Sequence, residues 1–398
     1  MGENRWYALF WIAVSVLFAL SLWFSASVVA TQLSERWAVE QSFEAWLTAA
    51  IPIGFAIGAF ASAYFGLADR MNPRKLFAIS AISGAIFNML LIFSTIAYVG
   101  FFLRVLTGMA LAGVYPVAVK MLSQWFPKQR GIAIGILIAA LTIGSSLPHI
   151  VKLFLSSFRW EFIIACSSVL AVIASAIVMF IVKDAPNSTK GSIFSFKLLY
   201  KVIKNKPAML VNYGYFGHNW ELYGMWTWLP AFFAASIQIQ KTSLTPAFIP
   251  LTSFVVIGIA GGIGCIIGGL LSEKIGRSNV TILSMCISGS CAVIIGFTFG
   301  KSIWLTTVIA FIWGMSIIAD SAQFSTAVSE TVEEQYIGTA VTFQMCVGFM
   351  VTIASINLIP VLAGFVGWKW VFTFLAIGPL FGVWAMIYYR KYEWSHSL

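Results

Sequence analysis

Twelve apolar runs of about 20 residues follow one another along the chain, separated by short polar loops. An α-helix needs a run of this length to cross the hydrocarbon core of a bilayer, whereas membrane-barrel strands show alternating segments of about 10 residues. The pattern therefore predicts an all-α membrane protein with twelve transmembrane helices. These spans lie at about residues 6–29, 43–64, 76–96, 100–122, 131–154, 161–182, 208–235, 248–271, 279–299, 302–327, 338–365 and 370–389.

One segment, residues 183–207, interrupts this alternation near the middle of the chain. It holds six lysines against a single acid, Asp184. A basic stretch between apolar runs predicts an amphipathic linker that lies on the membrane surface. The linker divides the chain into an N-terminal six-helix bundle at 1–182 and a C-terminal six-helix bundle at 208–398.

The composition agrees with this prediction and excludes a soluble protein. Of the 398 residues, 60% are hydrophobic and 10% are charged, and the mean hydropathy is +0.91, whereas a soluble domain carries about 25% charged residues. The five cysteines lie inside apolar runs without metal-ligand spacing, so we expect buried thiols and no metal site. We find no phosphate-binding loop, nucleophile elbow or dinucleotide fingerprint, and therefore expect no enzyme activity, no catalytic residues and no cofactor.

The net charge of +10 comes largely from a few loops, so it indicates membrane orientation rather than binding of nucleic acid. Lys and Arg concentrate on the side that carries both chain termini, and the basic side of a membrane protein faces the cytoplasm. We therefore predict a protein of the inner or plasma membrane with both termini cytoplasmic. Its expected partners are the lipid bilayer and a small solute, and we expect a monomer.

Two charged loops, about half the chain apart, share one pattern. Residues 65–75 read Phe-Gly-Leu-Ala-Asp-Arg-Met-Asn-Pro-Arg-Lys, and residues 269–277 read Gly-Leu-Leu-Ser-Glu-Lys-Ile-Gly-Arg. In both loops an acid is followed at once by a base, with more positive charge a few residues later. Gly108 and Gly314 recur at a similar offset, which indicates that one six-helix unit occurs twice in parallel.

The first loop resembles the loop between the second and third helices of the major facilitator superfamily, which reads roughly Gly-x-Leu-Ala-Asp-Arg-x-Gly-Arg-Lys. Phe65 and Asn72 stand where that family prefers glycine. Four residues of the first loop match the pattern and three of the second hold corresponding charges: Asp69, Arg70, Arg74 and Lys75, then Glu273, Lys274 and Arg277.

The resemblance implies two pseudo-symmetric six-helix bundles with a solute site between them near mid-membrane. In the family the acid of this loop faces the start of the eleventh helix, here near Gly338, and Glu273 would face the start of the fifth, near Gly131. A carboxylate at a helix start is favoured by about 0.3–1 kcal/mol. This energy is large enough to stabilise a conformation that is closed on the cytoplasmic side, and small enough to let it open again. We therefore expect the motif residues to form a cytoplasmic gate. The alternative is that these charges only fix topology.

Ionisable residues inside the spans are candidates for solute binding or proton coupling, because a charge at mid-membrane costs at least about 2.5–3.5 kcal/mol. In the family the first, fourth, seventh and tenth helices line the central cavity. Arg104 and Lys120 lie on the fourth span, and each could instead extend to the nearer membrane surface. Asp320, on the tenth, is deep enough to pair with Lys120 or with a neighbouring polar group.

The seventh span carries His218 and Glu221 close to its middle. They are three residues apart, so they share a helix face and can hydrogen-bond to each other. Burial disfavours the charged form of both groups, which suits a pair that takes up and releases protons. The alternative is a static pair that fixes helix packing. Tyr223 and Trp226 follow as candidate aromatic walls for a solute.

These candidates favour a secondary transporter driven by an ion gradient, with protons as the expected coupling ion. Arg104, Lys120 and His218 outweigh Glu221 and Asp320, which favours a small organic or inorganic anion as the solute. The chain resembles the nitrate/nitrite-type and cyanate-type carriers of the superfamily, although it lacks the nitrate signature. Two alternatives stay open, a proton-coupled exporter of drugs or metabolites and a non-transporting receptor or sensor on the same scaffold.

Overall fold

The computed structural model describes residues 5–40, 42–126, 130–154, 159–185, 196–241, 244–333 and 337–395, and these segments are almost entirely helical. No strand occurs within them. Ten of the described helical segments are long and apolar enough to cross a membrane. This architecture confirms the prediction of an all-α, multi-pass membrane protein. The chain folds as two compact units, unit 1 at Met1–Phe196 and unit 2 at Lys197–Leu398.

The first and fourth spans of unit 1 are broken. Turns at residues 21–26 and a 3-10 turn at Ser27–Val29 separate the first two helices, and turns at 112–114 separate the sixth from the seventh. The described α-helices of this unit are α1 (Arg5–Leu20), α2 (Ala30–Trp37), α3 (Phe43–Tyr64), α4 (Leu67–Arg70), α5 (Pro73–Leu90), α6 (Ala97–Leu111), α7 (Tyr115–Trp125), α8 (Arg130–Phe154) and α9 (Glu161–Phe180).

Unit 2 begins within the predicted linker, whose residues 186–195 lie outside the described segments. A π-helix at Phe254–Ala260 joins its third and fourth helices, and a 3-10 helix at Phe372–Ala376 precedes the last. The described α-helices are α10 (Phe196–Lys204), α11 (Lys206–Gln240), α12 (Phe248–Ser253), α13 (Gly261–Ile275), α14 (Arg277–Thr298), α15 (Ile303–Ala319), α16 (Ser321–Glu330), α17 (Ile337–Val366), α18 (Trp368–Val371) and α19 (Ile377–Ser395).

Two predicted spans are not among the ten apolar helices. α1 has only 16 residues because the break at residue 21 shortens it. α11 is long, with 35 residues, but it carries a polar run from His218 to Glu221 near its centre. The second departure occurs where the chain places the candidates His218 and Glu221.

A matching glycine-mediated helix crossing is found in both units. In unit 1, a Cβ atom on Gly54 of α3 would overlap the carbonyl oxygen of Val105 on α6. In unit 2, a Cβ atom on Gly264 of α13 would overlap the carbonyl oxygen of Met315 on α15. Glycine therefore lets each helix pair approach to backbone contact. The matching crossings are the structural counterpart of the repeat that the sequence predicts.

Polar and apolar side chains are distributed as a hydrocarbon surrounding requires. Arg104 and Glu221 are 0% and 1% exposed, whereas Phe365 and Leu380 are 82% and 72% exposed. In water this arrangement would be unfavourable on both counts. In a bilayer the exposed apolar faces contact lipid, and the buried charges find their hydrogen-bond partners inside each unit.

Candidate functional site

A buried arginine binds the broken segment of the first span. At residues 21–26 the backbone leaves the regular helix, and Arg104 of α6 donates from Nη1 to the carbonyl oxygen of Leu22 at 3.0 Å and from Nη2 to that of Trp23 at 2.5 Å. Nη1 also lies 3.3 Å from Oγ of Ser25 and 3.1 Å from Oδ1 of Asn88. The guanidinium is therefore bound by four acceptors, all of them uncharged.

Asn88 of α5 extends this network to a further helix. Its Nδ2 donates to the carbonyl oxygen of Ile164 at 3.2 Å and to Oγ of Ser168 at 3.0 Å, both on α9. Because Arg104 is completely buried, the alternative that it extends to the membrane surface is wrong. In the described part of unit 1, no acid lies within ion-pair distance of its guanidinium. Arg104 thus joins the broken first span to α5, α6 and, through Asn88, α9.

Lys120 is the other cation of the fourth span. It lies on α7, beyond the break at residues 112–114, and its side chain is half-buried. It is not among the four partners of Arg104, which lie on the first span and on α5. A role for Lys120 in solute binding stays a prediction.

Glu221 joins three helices of unit 2. Its Oε1 accepts a hydrogen bond from Nε1 of Trp313 on α15 at 2.8 Å, and its Oε2 accepts one from Oγ of Ser288 on α14 at 2.7 Å. The side chain lies near the middle of α11 and is almost fully buried. Among the described residues, no Lys, Arg or His lies within ion-pair distance of this carboxyl group. Glu221 therefore has two neutral donors and no counter-ion there.

His218 pairs with Asp320. Nδ1 of the imidazole lies 2.9 Å from Oδ1 of Asp320, and both side chains are buried. The separation is that of an ion pair, although Oδ1 receives no hydrogen bond of good geometry. The rings of Tyr215 and Phe324 enclose the imidazole, with centroids 6.0 and 5.5 Å away. The contact joins α11 to the junction between α15 and α16.

The predicted hydrogen bond between His218 and Glu221 is therefore wrong. A spacing of three residues does place both on one side of α11, but α14 and α15 provide the partners of Glu221, whereas Asp320 takes His218. For Asp320, the prediction of a neighbouring polar group is confirmed by His218. A contact of Asp320 with Lys120, the other predicted possibility, stays a prediction.

Asp320 lies at a break in the tenth span and marks the start of α16. Its backbone, with φ −91° and ψ −12°, ends α15, and its carbonyl oxygen accepts from the backbone N–H of Gln323 at 2.8 Å. The Gln323 side chain in turn accepts a hydrogen bond at Oε1 from Nη1 of Arg277 at 3.3 Å. One turn of α16 thus connects the buried pair to an arginine of the second charged loop.

The aromatic candidates of α11 pack inside unit 2. Tyr223 contacts Trp226 and Phe349, with ring centroids 5.7 and 5.5 Å away, and Trp226 is almost completely buried. These contacts join α11 to α17. The two side chains are core residues of unit 2 in this state, and their contact with a solute stays a prediction.

The first charged loop is anchored within unit 1. Asn72 accepts hydrogen bonds at Oδ1 from the backbone N–H groups of Arg74 and Lys75, and Pro73 occupies the first position of α5, which together explain why the helix starts there. Arg74 forms a two-point ion pair with Asp184, 2.9 Å at both contacts, and also donates to the carbonyl oxygen of Val182.

The second charged loop is anchored in the same way within unit 2. Arg277 forms a two-point ion pair with Glu330 at 2.8 and 2.7 Å. Glu393 accepts from the backbone N–H groups of Arg277 and Ser278 at 3.0 and 3.3 Å, and so neutralises the start of α14.

The two predicted latch acids are not tested by these contacts. The Asp69 side chain lies outside the described residues, and Glu273 is exposed. Arg70 and Lys274 are exposed as well. Arg74 and Arg277 are thus paired within their own units, and the predicted gate stays a prediction.

Four polar residues of these networks were missed in the sequence. A lone asparagine inside an apolar span is costly, so the position of Asn88 was a usable signal. Trp313 lies deep in its span, whereas tryptophan prefers the membrane interfaces, and this depth was a second signal. Ser288, in the middle of α14, and Gln323, at the start of α16, gave no signal, because serine and glutamine are ordinary hydrogen-bonding residues between membrane helices.

The model of the family described as the Major Facilitator Superfamily matches residues 9–356. The chain belongs to the Major Facilitator Superfamily. The match confirms the resemblance that the two charged loops carry, and it extends over both units. The protein is therefore a multi-pass membrane transporter for a small solute, with the twelve-helix fold of that superfamily.

Individual members of the Major Facilitator Superfamily are similar at lower identity. The niacin transporter NiaP of Acinetobacter baylyi is 24% identical over 72% of this chain and 70% of its own length. The hexuronate transporter of Bacillus subtilis is 24% identical over 62% of this chain and 61% of its own length. Superposition on the crystal structure of a mutant of the nucleoside transporter NupG covers 96% of this chain and 99% of the NupG chain, with a TM-score of 0.72 and 14% sequence identity. At that identity the last comparison shows a shared fold.

Proposed function

We propose that the protein is a proton-coupled importer of a small organic acid, located in the cell membrane with both termini in the cytoplasm. The observation that carries this proposal is the environment of Glu221, a buried carboxyl group with two neutral donors and, among the described residues, no Lys, Arg or His within ion-pair distance. An unpaired carboxylate is costly in such a place, so the group has a reason to accept a proton. Two hydrogen bonds nevertheless support the anion, so the proton can also leave.

The two partners of Glu221 have different chemistry, which assigns the proton to one oxygen. The indole of Trp313 can only donate, so Oε1 stays unprotonated while that hydrogen bond persists. The hydroxyl of Ser288 can donate or accept, so Oε2 can carry the proton and direct it at Oγ. Ser288 then has the carbonyl oxygen of Met285, 3.3 Å away, as its own acceptor. Glu221 can therefore gain or lose a proton without losing its partners.

An acidic solute is supported by the named relatives. Niacin and hexuronates, which the two similar transporters are named for, both carry a carboxylate group. Importing an anion against an inside-negative potential costs about 2.3 kcal/mol per charge for each 100 mV. A proton moved with each carboxylate cancels that cost, and Glu221 is a residue that could carry it.

The test is uptake of radiolabelled nicotinate and of a hexuronate into proteoliposomes. We expect a pH gradient that is acidic outside the vesicles to accelerate uptake of the accepted solute several-fold. A protonophore should abolish this acceleration. Glu221→Gln should remove the response to the gradient while solute exchange at equal pH continues. Glu35→Gln, at an exposed carboxyl group of unit 1, is the matched control and should behave as wild type.

Two results would contradict the proposal. If wild-type uptake proceeds at the same rate with and without the gradient, transport is not coupled to protons. If Glu221→Gln abolishes both solute exchange and gradient-driven uptake, the residue has a structural role. Accumulation driven only by acid inside the vesicle would instead identify a proton-coupled exporter.

A further inference from the structure

The linker helix α10 is fixed to unit 2 by one of its faces. Val202 is 1% exposed and packs into a core cluster of this unit, with Leu198 beside it. Immediately after the helix, Nδ2 of Asn205 donates to the carbonyl oxygen of Thr331 at 2.9 Å, and its Oδ1 caps α11 at the backbone N–H of Ala208, 3.1 Å away. The orientation of α10 on unit 2 is therefore defined by packing on one side.

The outward face of α10 combines an apolar strip with lysines. Tyr200 and Ile203 are 60% and 45% exposed, and because they are three residues apart they are neighbours on the helix surface. Lys201 and Lys204 are exposed beside them, and Nζ of Lys204 lies 4.5 Å from the centroid of the Tyr200 ring. An apolar strip bordered by lysines is the pattern of a helix that lies in a membrane interface.

Lys206 adds a third exposed cation at an unfavourable position. It is the first residue of α11, where the helix dipole disfavours positive charge. Between Asp184 and Glu221 the sequence contains no acid. Glu330, one residue before the Asn205 contact, is already paired with Arg277. An external anion would stabilise Lys206 where it lies.

The extended backbone of Asn205 separates α10 from α11, so α10 does not continue the membrane helix. Only one residue lies between them, which keeps α10 close to the membrane end of α11. We propose that Tyr200, Ile203, Lys201, Lys204 and Lys206 form a surface, the α10 surface, that binds the anionic phospholipid headgroups of the adjacent leaflet. The two apolar side chains enter the interface and the ammonium groups contact phosphates.

The test is thermal unfolding of the full chain in detergent micelles titrated with dioleoylphosphatidylglycerol or, in parallel, with dioleoylphosphatidylcholine. A ligand of the folded state raises its apparent stability, so we expect the anionic lipid to raise the unfolding temperature more than the zwitterionic one. Replacing Lys201, Lys204 and Lys206 by Gln should weaken that selective response by on the order of 100-fold in half-saturating lipid, or roughly five-fold for each lysine.

The matched control replaces three other exposed lysines of unit 2, Lys241, Lys301 and Lys369, by Gln. It removes the same net charge, so the selective response should persist. Loss of the response to the same extent in the control, or its persistence in the α10 triple variant, would overturn the proposal.

A second measurement does not depend on removing the lysines. In an Ile203→Cys variant that also carries Cys286→Ser, a nitroxide at position 203 should collide more often with oxygen than with a water-soluble nickel chelate in phosphatidylglycerol vesicles. A nitroxide that collides mainly with the chelate would place the strip in water. That result would favour a soluble partner or a second copy of the chain as the occupant, and it would overturn the lipid assignment.

Discussion

Among the residues that the structure describes, the buried Arg104 guanidinium has no carboxylate partner, which a buried cation usually requires. Its four acceptors are two backbone carbonyls of the broken first span, a hydroxyl and a side-chain amide. A guanidinium can serve this arrangement because it directs several N–H groups in fixed directions, whereas an ammonium is a point charge on a flexible stem. The break in the first span and the arginine are therefore one structural feature, since each provides what the other lacks.

Arg104→Lys is expected to destabilise the protein although the charge is kept. One ammonium group cannot reach the carbonyl oxygens of Leu22 and Trp23 and the Asn88 amide together, so buried acceptors lose their donor. We expect a loss of about 2–3 kcal/mol, seen as a lower unfolding temperature in detergent. Arg159→Lys, at an exposed arginine whose ion-pair partner is Glu161, is the matched control and should change little. Equal effects of the two substitutions would show that the fork geometry is unimportant.

At the scale of secondary-structure elements, the short helix α16 has a charged pair at each of its two ends. Asp320 at its start pairs with His218, and Glu330 at its end pairs with Arg277 of the charged loop. Gln323, between them, accepts from the same arginine. A movement of α16 would therefore disturb the buried pair and the surface pair together. The proposed proton coupling needs an element of this kind, with one end at a titratable group and the other at the predicted gate.

Gly268→Ala should separate α13 from α15. A Cβ atom at this position would overlap the carbonyl oxygen of Ala319, and the backbone of a helix cannot move away alone. Overpacking of a close contact costs about 1–3 kcal/mol, so we expect a lower unfolding temperature in detergent. Gly364→Ala, where no atom lies within 4 Å, is the matched control and should have no such effect. Stability unchanged by Gly268→Ala would mean that the crossing tolerates a wider spacing.

Hydropathy and the repeated loops predict most of the fold but only part of the site. The length of an apolar run predicts that a helix crosses the membrane, and the residues of the charged loops identify the family. The number of helices and the internal repeat can therefore be predicted from the sequence. Neither fixes how a helix rotates against its neighbours. For that reason the spacing of His218 and Glu221 gave a shared side of α11 but the wrong partners. The break at residues 21–26 was missed because its sequence is as apolar as a continuous helix.

At the scale of the whole molecule, each unit holds its own charged loop and its own core. The Arg74 pair with Asp184 lies entirely in unit 1, and the Arg277 pair with Glu330 lies entirely in unit 2. The glycine crossings are likewise internal, α3 with α6 and α13 with α15. A duplicated chain that has these ion pairs and glycine crossings inside each copy should tolerate interruption between the copies far better than within one.

Expression as two chains tests this expectation. Cutting the backbone between residues 185 and 196 leaves the Asp184 pair and the Asn205 contact with Thr331 in separate fragments, each with its own unit. Co-expressed fragments should therefore insert, survive detergent extraction and recover most of the uptake seen with the intact chain. The matched control cuts between Gly300 and Lys301, in the turn between α14 and α15, and divides the crossing of α13 and α15 between fragments. That cut should leave unstable fragments and little uptake, because closely packed glycine helices would have to find each other as separate chains. Uptake lost equally after both cuts would mean that continuity of the chain, rather than the internal contacts of each unit, holds the transporter together.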